Sequence, residues 1–441
     1  MVAIQERRIQ ERGWKGKDDM SCLRRVSNDF KVNRLISRAI ASTPAALSLL
    51  VLAVALAATV SDGTATTDQG PARIELVYCK GQSLLPMLLA TNQIDGYVAW
   101  QPCLAIAEEG GIGKVVAYSQ DFPPLGTWKN HPCCVLVASG PLLREDPERV
   151  SCLAALIMIS TNWVNDNPQE AVEISREWLM GDRNYSLGST SLPSQQVFLR
   201  SFSTFRFSSQ PNQEWVRSCH SLISSMTDLL NTTEGLQARR LNLSSFYDLH
   251  AYGRAEEAVN KTRRFILSPR ERRIRMGYLM IDHQAPLFVA IRRWKQFQEG
   301  YGIALRPQNE EMKRPELFDL LVGGVKVAEV ELVATATGQS IMVLMEQDCL
   351  DMGLVGITPA LGAISLGCDA KIIMPMQNEG SGLVLAADSP ARDWPGFIEL
   401  AKARSGQGRP LKIADPDLGT IADVLFQSAL RESGIVGVRA G

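Results

Sequence analysis

The side chains that most often perform catalysis or bind metals occur in this chain without a recognised motif. None of its histidines stands in an HExxH or HxH spacing, and they lie at His131, His220, His250 and His283. No GxSxG, Walker A or GxGxxG sequence occurs. The sequence therefore predicts no catalytic residue, no metal site and no cofactor, and it favours a protein that is not an enzyme.

The nine cysteines follow no metal-ligand spacing either. Cys133 and Cys134 are adjacent in an apolar run, and neighbours in a strand point to opposite faces. An odd, scattered set favours buried free thiols over a disulfide framework. The cysteines alone do not decide the redox compartment.

Glycines and small polar residues follow several apolar runs, where they precede a predicted helix. Glycine lets a ligand approach the backbone, and a helix N-terminus presents N–H groups to an anion. An ordinary helix cap remains the alternative for each segment. The segments are Gly356-Ile357-Thr358-Pro359, Asn378-Glu379-Gly380-Ser381-Gly382 and Asp417-Leu418-Gly419-Thr420.

The elements that position these residues alternate between short strands and amphipathic helices. Apolar runs at 74–79, 96–100, 114–119 and 133–139 predict strands, and helical patterns follow at 84–93 and after Asp146. The second half predicts strands at 273–281, 330–335, 351–357, 368–376, 381–387 and 410–416, with helices at 285–302 and 420–432. This alternation predicts an α/β fold with largely parallel sheets.

Gly81-Gln82-Ser83 and Gly338-Gln339-Ser340 both follow a strand and precede a helix. This internal repeat predicts two similar lobes. The alternative is that any two strand–helix–strand units share such turn residues.

Length and charge restrict the class of protein. The 441 residues suit two or three packed lobes, and 45% hydrophobic with 21% charged residues is typical of globular protein. The net charge of -1 argues against nucleic acid as a partner, because phosphate binding requires a basic surface.

The N-terminal region divides into a polar, Arg-rich stretch at 1–43 and an uncharged apolar stretch at 44–60. The second stretch predicts either a signal peptide or a membrane anchor. Positive charge before it orients the N-terminus inward. Both interpretations place the rest of the chain outside the cytoplasm, in the periplasm or on the outer face of the membrane. A buried helix is the remaining alternative.

Several separated motifs resemble the nitrate/sulfonate/bicarbonate/taurine family of ABC transporter substrate-binding proteins. They are RIRMGYLMIDHQAPLFVAI, DMGLVGITPAL, IIMPMQNEGSGLVL, LKIADPDLGTIADVLFQSAL, NQIDGYVAWQPCLAIA and NHPCCVLVAS. Residues 72–258 resemble the family's C-terminal part, and residues 273–436 resemble its N-terminal part. The swapped order suggests a circular permutation, in which 259–272 links the old termini; a fusion of two partial copies is the alternative.

The resemblance implies a type II periplasmic-binding-protein fold, with two lobes, a hinge and an interlobe cleft. It implies the extracytoplasmic solute-binding component of an ABC importer for a small anionic or polar solute of the nitrate/sulfonate/bicarbonate class. Its partners would be the solute, the ABC permease and ATPase subunits, and a membrane reached through the N-terminal segment. Ligand contacts carried over by position are His283, Gln284, Thr358, Asn378, Gly380, Ser381, Gly419 and Thr420, with Trp100, Gln101 and His131 from the other lobe.

The family often has Trp-Glu-Pro where this chain has Trp100-Gln101-Pro102. Loss of that carboxylate makes an anionic or neutral solute easier to hold. An enzyme of the thiamine-pyrimidine-synthase-like branch on the same fold is the alternative function. It would need a cytoplasmic location, against which the N-terminal segment argues, and a reactive His or Cys cluster. An extracytoplasmic sensor domain is less compatible, since 43 polar residues are too few for a signalling module. The sequence does not identify the solute.

Overall fold

The computed structural model describes residues 71–234, 245–269 and 272–440. The segments predicted at 1–43 and 44–60 lie outside the described residues. The described strands are β1 (Arg73–Tyr78), β2 (Gly96–Trp100), β3 (Gly113–Tyr118), β4 (Pro132–Ser139), β5 (Tyr185–Leu187), β6 (Thr190–Leu192), β7 (Phe205–Phe207), β8 (Arg273–Leu279), β9 (Ile303–Pro307), β10 (Leu317–Val322), β11 (Val325–Thr335), β12 (Met352–Gly356), β13 (Ala370–Glu379), β14 (Ser381–Ala386), β15 (Lys412–Asp415) and β16 (Val436–Arg439).

The helices connect these strands and cover the faces of their sheets. They are α1 (Leu85–Ala90), α2 (Cys103–Glu109), α3 (Gly140–Glu145), α4 (Pro147–Asp166), α5 (Pro168–Leu179), α6 (Ser194–Phe202), α7 (Gln213–Glu234), α8 (Leu249–Val259), α9 (Ala285–Arg292), α10 (Trp294–Tyr301), α11 (Gly338–Glu346), α12 (Ile357–Ser365), α13 (Trp394–Gly406) and α14 (Ile421–Glu432).

Two sheets define two lobes, which confirms the expected two-lobed α/β architecture. The small lobe is built on six strands in the order β16-β1-β15-β2-β14-β3. The large lobe is built on eight strands in the order β7-β13-β4-β12-β8-β11-β10-β9. The sequence accounts for the central strands: β4, PCCVLVAS, is apolar at most positions and buried at every one.

The two segments of swapped order interleave in both sheets. In the small lobe β1 pairs in parallel with β15 and with β16, and Arg73 lies opposite Val436. In the large lobe β4 lies between β12 and β13. Residues near Arg73 and Val436 are therefore close in space, as the permuted order predicts, and the segments do not form separate bodies.

The expectation of largely parallel sheets is wrong, because both sheets are mixed. β4 runs antiparallel to β12 and β13, and β14 runs antiparallel to β2 and β3. The chain enters β4 and β14 directly from the other lobe. A parallel strand would require a crossover connection, usually a helix, which is absent at these two entries. The helix predicted at 285–302 is two helices, with a break at Arg293 and an end at the left-handed Gly302. The sequence patterns also missed β9 and β10.

The internal repeat corresponds to matching units in the two lobes. In the unit β1-α1-β2, the strand β15 lies between β1 and β2 in the sheet. In the unit β11-α11-β12, the strand β8 lies between β11 and β12 in the same way. In the second unit the Thr337 side chain accepts from the Ser340 N–H (3.1 Å) and caps α11. The last strand of each unit ends at the boundary between the lobes: β2 ends at Trp100, opposite Ser381, and β12 ends at Gly356, opposite Cys134.

Candidate functional site

Within the described residues, the chain passes from one sheet to the other at two places. Residues 119–131 connect β3 to β4, and Gly380 alone separates β13 from β14. Gly380 has φ of 83°, a left-handed value that favours glycine. The Glu379 N–H donates to the His131 carbonyl (3.1 Å), and the Asn130 N–H donates to the Glu379 carboxylate (2.9 Å). These bonds hold the two crossings side by side.

Strand ends from both lobes meet beside these crossings. Cys134 of β4 lies between the last residue of β12 and Gln377 of β13. The 3-10 turn Asp282–Gln284 follows β8, which pairs with β12. From the small lobe, Ser381 lies opposite Trp100 at the end of β2. The predicted residues therefore come together although they are distant in the chain.

Many side-chain polar atoms here are buried without a hydrogen-bond partner among the described residues. Six belong to predicted residues: Trp100 Nε1, His283 Nε2, Gln284 Oε1, Thr358 Oγ1, Asn378 Oδ1 and Ser381 Oγ. Two more are Asp282 Oδ1 and Gln377 Oε1. We call these eight residues the interlobe site. Buried polar atoms nearly always have a partner, so this concentration indicates a site that a ligand or water completes.

The interlobe site is closed in this structure. Apart from Trp100, its residues are at most 2% exposed. An open surface depression of about 620 Å³ lies elsewhere, beside the start of β1, and is lined in part by Arg73, Lys402 and Ser405. That depression contains none of the unpartnered groups, so the buried site is the better candidate.

His283 packs against the glycine of the second crossing. A Cβ added at Gly380 would lie 3.2 Å from His283 Nε2 and 3.0 Å from the Cβ of Phe205. The Phe205 ring stands edge-on to the imidazole, with centroids 4.8 Å apart. Gly380 is therefore required both by its backbone angle and by the close approach of these side chains.

Other predicted residues use their polar groups within the protein. Gln101 accepts from a backbone N–H of α2 (3.1 Å) and donates to the Thr204 hydroxyl (2.9 Å). Thr420 caps α14 by accepting from the Asp423 N–H (3.3 Å), and the Gly419 N–H donates to the Asp423 carboxylate (2.7 Å). These bonds hold the loops that follow β2 and β15.

Both ring nitrogens of His131 are also occupied. Nδ1 lies 3.2 Å from the Pro132 carbonyl and Nε2 lies 2.7 Å from the Ser119 hydroxyl. A carbonyl only accepts, so Nδ1 carries the proton and Nε2 accepts from Ser119. Burial lowers the pKa of His131 to about 4, which keeps the ring neutral. His131 therefore links the two ends of the first crossing.

A thiol pair contacts the other side of the His283 ring. Cys133 Sγ lies 3.6 Å and Cys134 Sγ 3.8 Å from His283 Nδ1. These three atoms all lie within 4.8 Å of one another, and all three residues are buried. Gln284 Nε2 approaches Cys134 Sγ at 3.9 Å. Seven described cysteines, including both of these, carry free thiols.

The thiol pair and the imidazole change one another's protonation. The hydrogen bond with Cys133 lowers the pKa of Cys134 to about 6, with a contribution from His283, although burial opposes it. The same hydrogen bond, together with burial, raises the pKa of Cys133. Burial acts to lower the pKa of His283, but the hydrogen bond and charge of Cys134 and the charge of Asp282 raise it overall. The Cys134 thiol and the His283 imidazole therefore each shift the other toward its charged form.

The small lobe contributes a buried carboxyl pair. Asp423 accepts from the Tyr78 hydroxyl (3.1 Å) and from Gln427 Nε2 (2.6 Å), and Asp415 ends β15 nearby. Burial is the largest cause that raises the pKa of Asp415 and of Asp423, and their charges repel. Two like charges buried together favour retention of one shared proton.

Sequence reasoning missed part of this site. Asp282 and Gln377 directly precede His283 and Asn378, so the strand-end argument that found the latter pair could have reached them. The contact of Cys133 with His283 joins residues 150 positions apart, for which no local pattern exists.

Comparison with known proteins shows to which protein family most of the chain is similar. Residues 49–179 and 268–437 match the NMT1-like family. An uncharacterized protein of Methanocaldococcus jannaschii is 39% identical over 111 residues, which are 25% of this chain and 74% of that protein. Among the described residues, no helix is both long enough and apolar enough to cross a membrane.

Proposed function

Because this chain belongs to the NMT1-like family, we propose that it is the extracytoplasmic solute-binding component of an ABC importer. A general solute-binding role follows from the family, whose members are mostly binding proteins. We propose in addition that the chain works with the permease and ATPase subunits of an ABC importer, and we propose a class of solute below.

The observation that carries the proposal is the interlobe site. Its eight residues come from both lobes and present buried polar atoms that no group in the described part of the chain satisfies. A solute enclosed between two lobes would supply those partners and be released when the lobes open. The hydrogen-bonded crossings at His131 and Gly380 are where such a hinge would act.

The atoms of the interlobe site favour a polar solute that carries N–H or O–H donors. Four of the eight atoms are oxygen acceptors, on Asp282, Gln284, Gln377 and Asn378, whereas Trp100 Nε1 only donates and His283 Nε2 donates when it carries a proton. Among the described residues with such atoms here, none is Lys or Arg. His283 is the one residue of the interlobe site that can carry a positive charge, and the carboxyl group of Asp282 lies beside it in the chain. A buried oxyanion would therefore gain little net attraction, so nitrate, sulfonates and bicarbonate fit less well than a neutral polar molecule.

A thermal-shift screen of the full chain tests the proposal. Nitrate, bicarbonate, alkanesulfonates and pyrimidines would each be added, since a ligand that binds only the folded state raises the melting temperature. A ligand at 100 times its Kd stabilises by about 2.7 kcal/mol. We expect a response to a donor-bearing solute that is lost in a Thr358→Val/Ser381→Ala double variant. A response to oxyanions alone would contradict the proposed class of solute.

The location of the protein is a separate test. The apolar segment 44–60 supports export or anchoring, so fractionation should find the chain with membranes or outside the cytoplasm. Deleting 44–60 should leave it inside the cell, or free of the membrane. Deleting the gene should abolish uptake of the identified solute. A cytosolic full-length protein would contradict the importer role.

The swapped order of the two segments is attributed to circular permutation. The parallel pairing of Arg73 with Val436 supports it, since it brings the end of one segment to the start of the other. Sequences of neighbouring genes would test it: two adjacent partial copies in the usual order would favour fusion.

An enzyme of the thiamine-pyrimidine-synthase-like branch is the second candidate. The contact of Cys134 with His283 favours it, because such an enzyme would need a reactive His or Cys cluster. Mass spectrometry of a cell extract before and after prolonged incubation with the chain separates the candidates. A synthase would form a new pyrimidine, whereas a binding protein would form none.

A further inference from the structure

We infer that Cys133, Cys134 and His283 form a binding site for a thiophilic metal cation of the Zn²⁺ class. The inference goes beyond solute binding, because the metal would bind Nδ1 of His283, while Nε2 belongs to the interlobe site. The two thiol sulfurs and Nδ1 supply three ligand atoms.

The distances fit such a cation. With Zn–S of about 2.3 Å and Zn–N of about 2.0–2.1 Å, a sulfur and a nitrogen in a tetrahedral site lie about 3.6 Å apart. The two Sγ–Nδ1 distances are 3.6 and 3.8 Å. Little movement is needed to place one cation in contact with all three atoms.

A bulge in β4 explains how neighbouring cysteines reach one imidazole. Adjacent residues of a regular strand point to opposite faces. Here Pro132 lies opposite Asn378 and Cys134 lies opposite Gln377, so Cys133 has no partner on β13. An extra residue of this kind re-aims its side chain. The bulge therefore turns Cys133 toward the ring that Cys134 also contacts.

The surroundings also fit a bound cation. The three ligand residues are at most 3% exposed, and two buried thiolates would balance the charge of a divalent ion. The carboxyl group of Asp282, when ionised, adds a negative charge next to His283, and its Oδ1 has no partner among the residues that the structure describes. Metal on Nδ1 would fix the proton on Nε2, which would then donate to a solute in the interlobe site.

Metal uptake by the full-length chain tests the site. The protein, with its thiols reduced by a phosphine, is equilibrated with Zn²⁺ alone and its metal content is measured after gel filtration. We expect about one bound ion per chain, as for a three-ligand protein site. Cys133→Ser, Cys134→Ser and His283→Ala should each lose it. Cys152→Ser, which alters a buried thiol that is not in the cluster, should retain it.

A second measurement does not depend on the folding of variants. Co²⁺ bound by the unaltered chain should give an absorption band from charge transfer between thiolate and metal, and Zn²⁺ should abolish it. Absence of both the band and zinc uptake would overturn the inference. Retention of zinc by folded Cys133→Ser and Cys134→Ser would overturn it equally. Either result leaves the solute proposal standing, because the thermal-shift screen requires no metal.

Discussion

Replacing Thr358 by valine tests whether the unpartnered atoms between the lobes belong to a solute site. Thr358 is 2% exposed, and its hydroxyl has no hydrogen-bond partner within residues 71–234, 245–269 and 272–440. Valine has nearly the same shape and removes the hydroxyl. Because a buried hydroxyl without a partner costs about 1–3 kcal/mol, its removal should stabilise the protein without solute, or leave it unchanged where water fills the site.

A matched control is Thr161, which is 1% exposed and donates to the Ile157 carbonyl at 2.8 Å. Thr161→Val loses a satisfied hydrogen bond, so its free energy of unfolding should fall by about 0.5–1.5 kcal/mol. The two variants should therefore differ by about 0.5 kcal/mol where water fills the site, and by up to about 4.5 kcal/mol where the site is dry. For a body of this size that corresponds to roughly 1–6 °C in melting temperature, which calorimetry resolves.

Solute affinity should change in the opposite pattern. Thr358→Val should weaken binding about 2- to 10-fold, the loss of one hydrogen bond, whereas Thr161→Val should leave binding unchanged. Titration calorimetry with the solute from the thermal-shift screen measures both. If Thr358→Val destabilises the protein as much as Thr161→Val and leaves affinity unaltered, the hydroxyl is a structural group and the argument from unpartnered atoms fails at this position.

Three further substitutions probe the same region. Gly380→Ala should lower the free energy of unfolding by about 1–2 kcal/mol, because φ of Gly380 is left-handed. It should also weaken solute binding, because the added methyl group would crowd His283. The control is Gly408→Ala, which has φ of 68° but open space around it and should therefore lower stability without changing solute binding. Equal solute affinity in these two glycine variants would refute the role of the close approach. Trp100→Phe removes the Nε1 donor and should reduce affinity several-fold with little change in melting temperature; a large loss of stability instead would mark Trp100 as a core residue. Burial raises the pKa of Asp415 in the folded chain, so the folded chain binds more protons than the unfolded chain does. The free energy of unfolding therefore falls as pH rises from about 3.9, the usual pKa of an unfolded aspartate, through the raised folded-state pKa. The melting temperature of Asp415→Asn minus that of the unaltered chain should therefore increase from pH 4 to pH 8, and a constant difference would show that Asp415 titrates normally.

Local sequence patterns determined the elements and many of the residues at their ends. Apolar runs of five to nine residues bounded by glycine or polar residues predicted β4, β8 and β14 within two residues of their observed limits. The same patterns identified His283, Asn378 and Ser381 as residues that follow or flank strands, because the residue after a buried strand is found where a ligand can reach it. Trp100 and Thr358 were found in the same way.

Only the tertiary structure decided which of these side chains keep a free polar atom. Gln101 and His131 lie at strand ends as the sequence predicted, but neighbours in space satisfy their polar groups. The antiparallel course of β4 and β14 likewise depends on where the chain crosses between lobes. The cluster of Cys133, Cys134 and His283 requires a bulge in one segment and a turn in the other, 150 residues apart. The periodicity of apolar residues indicates only the local secondary structure of a segment. These features depend instead on pairing between distant segments, which come together only when the chain folds.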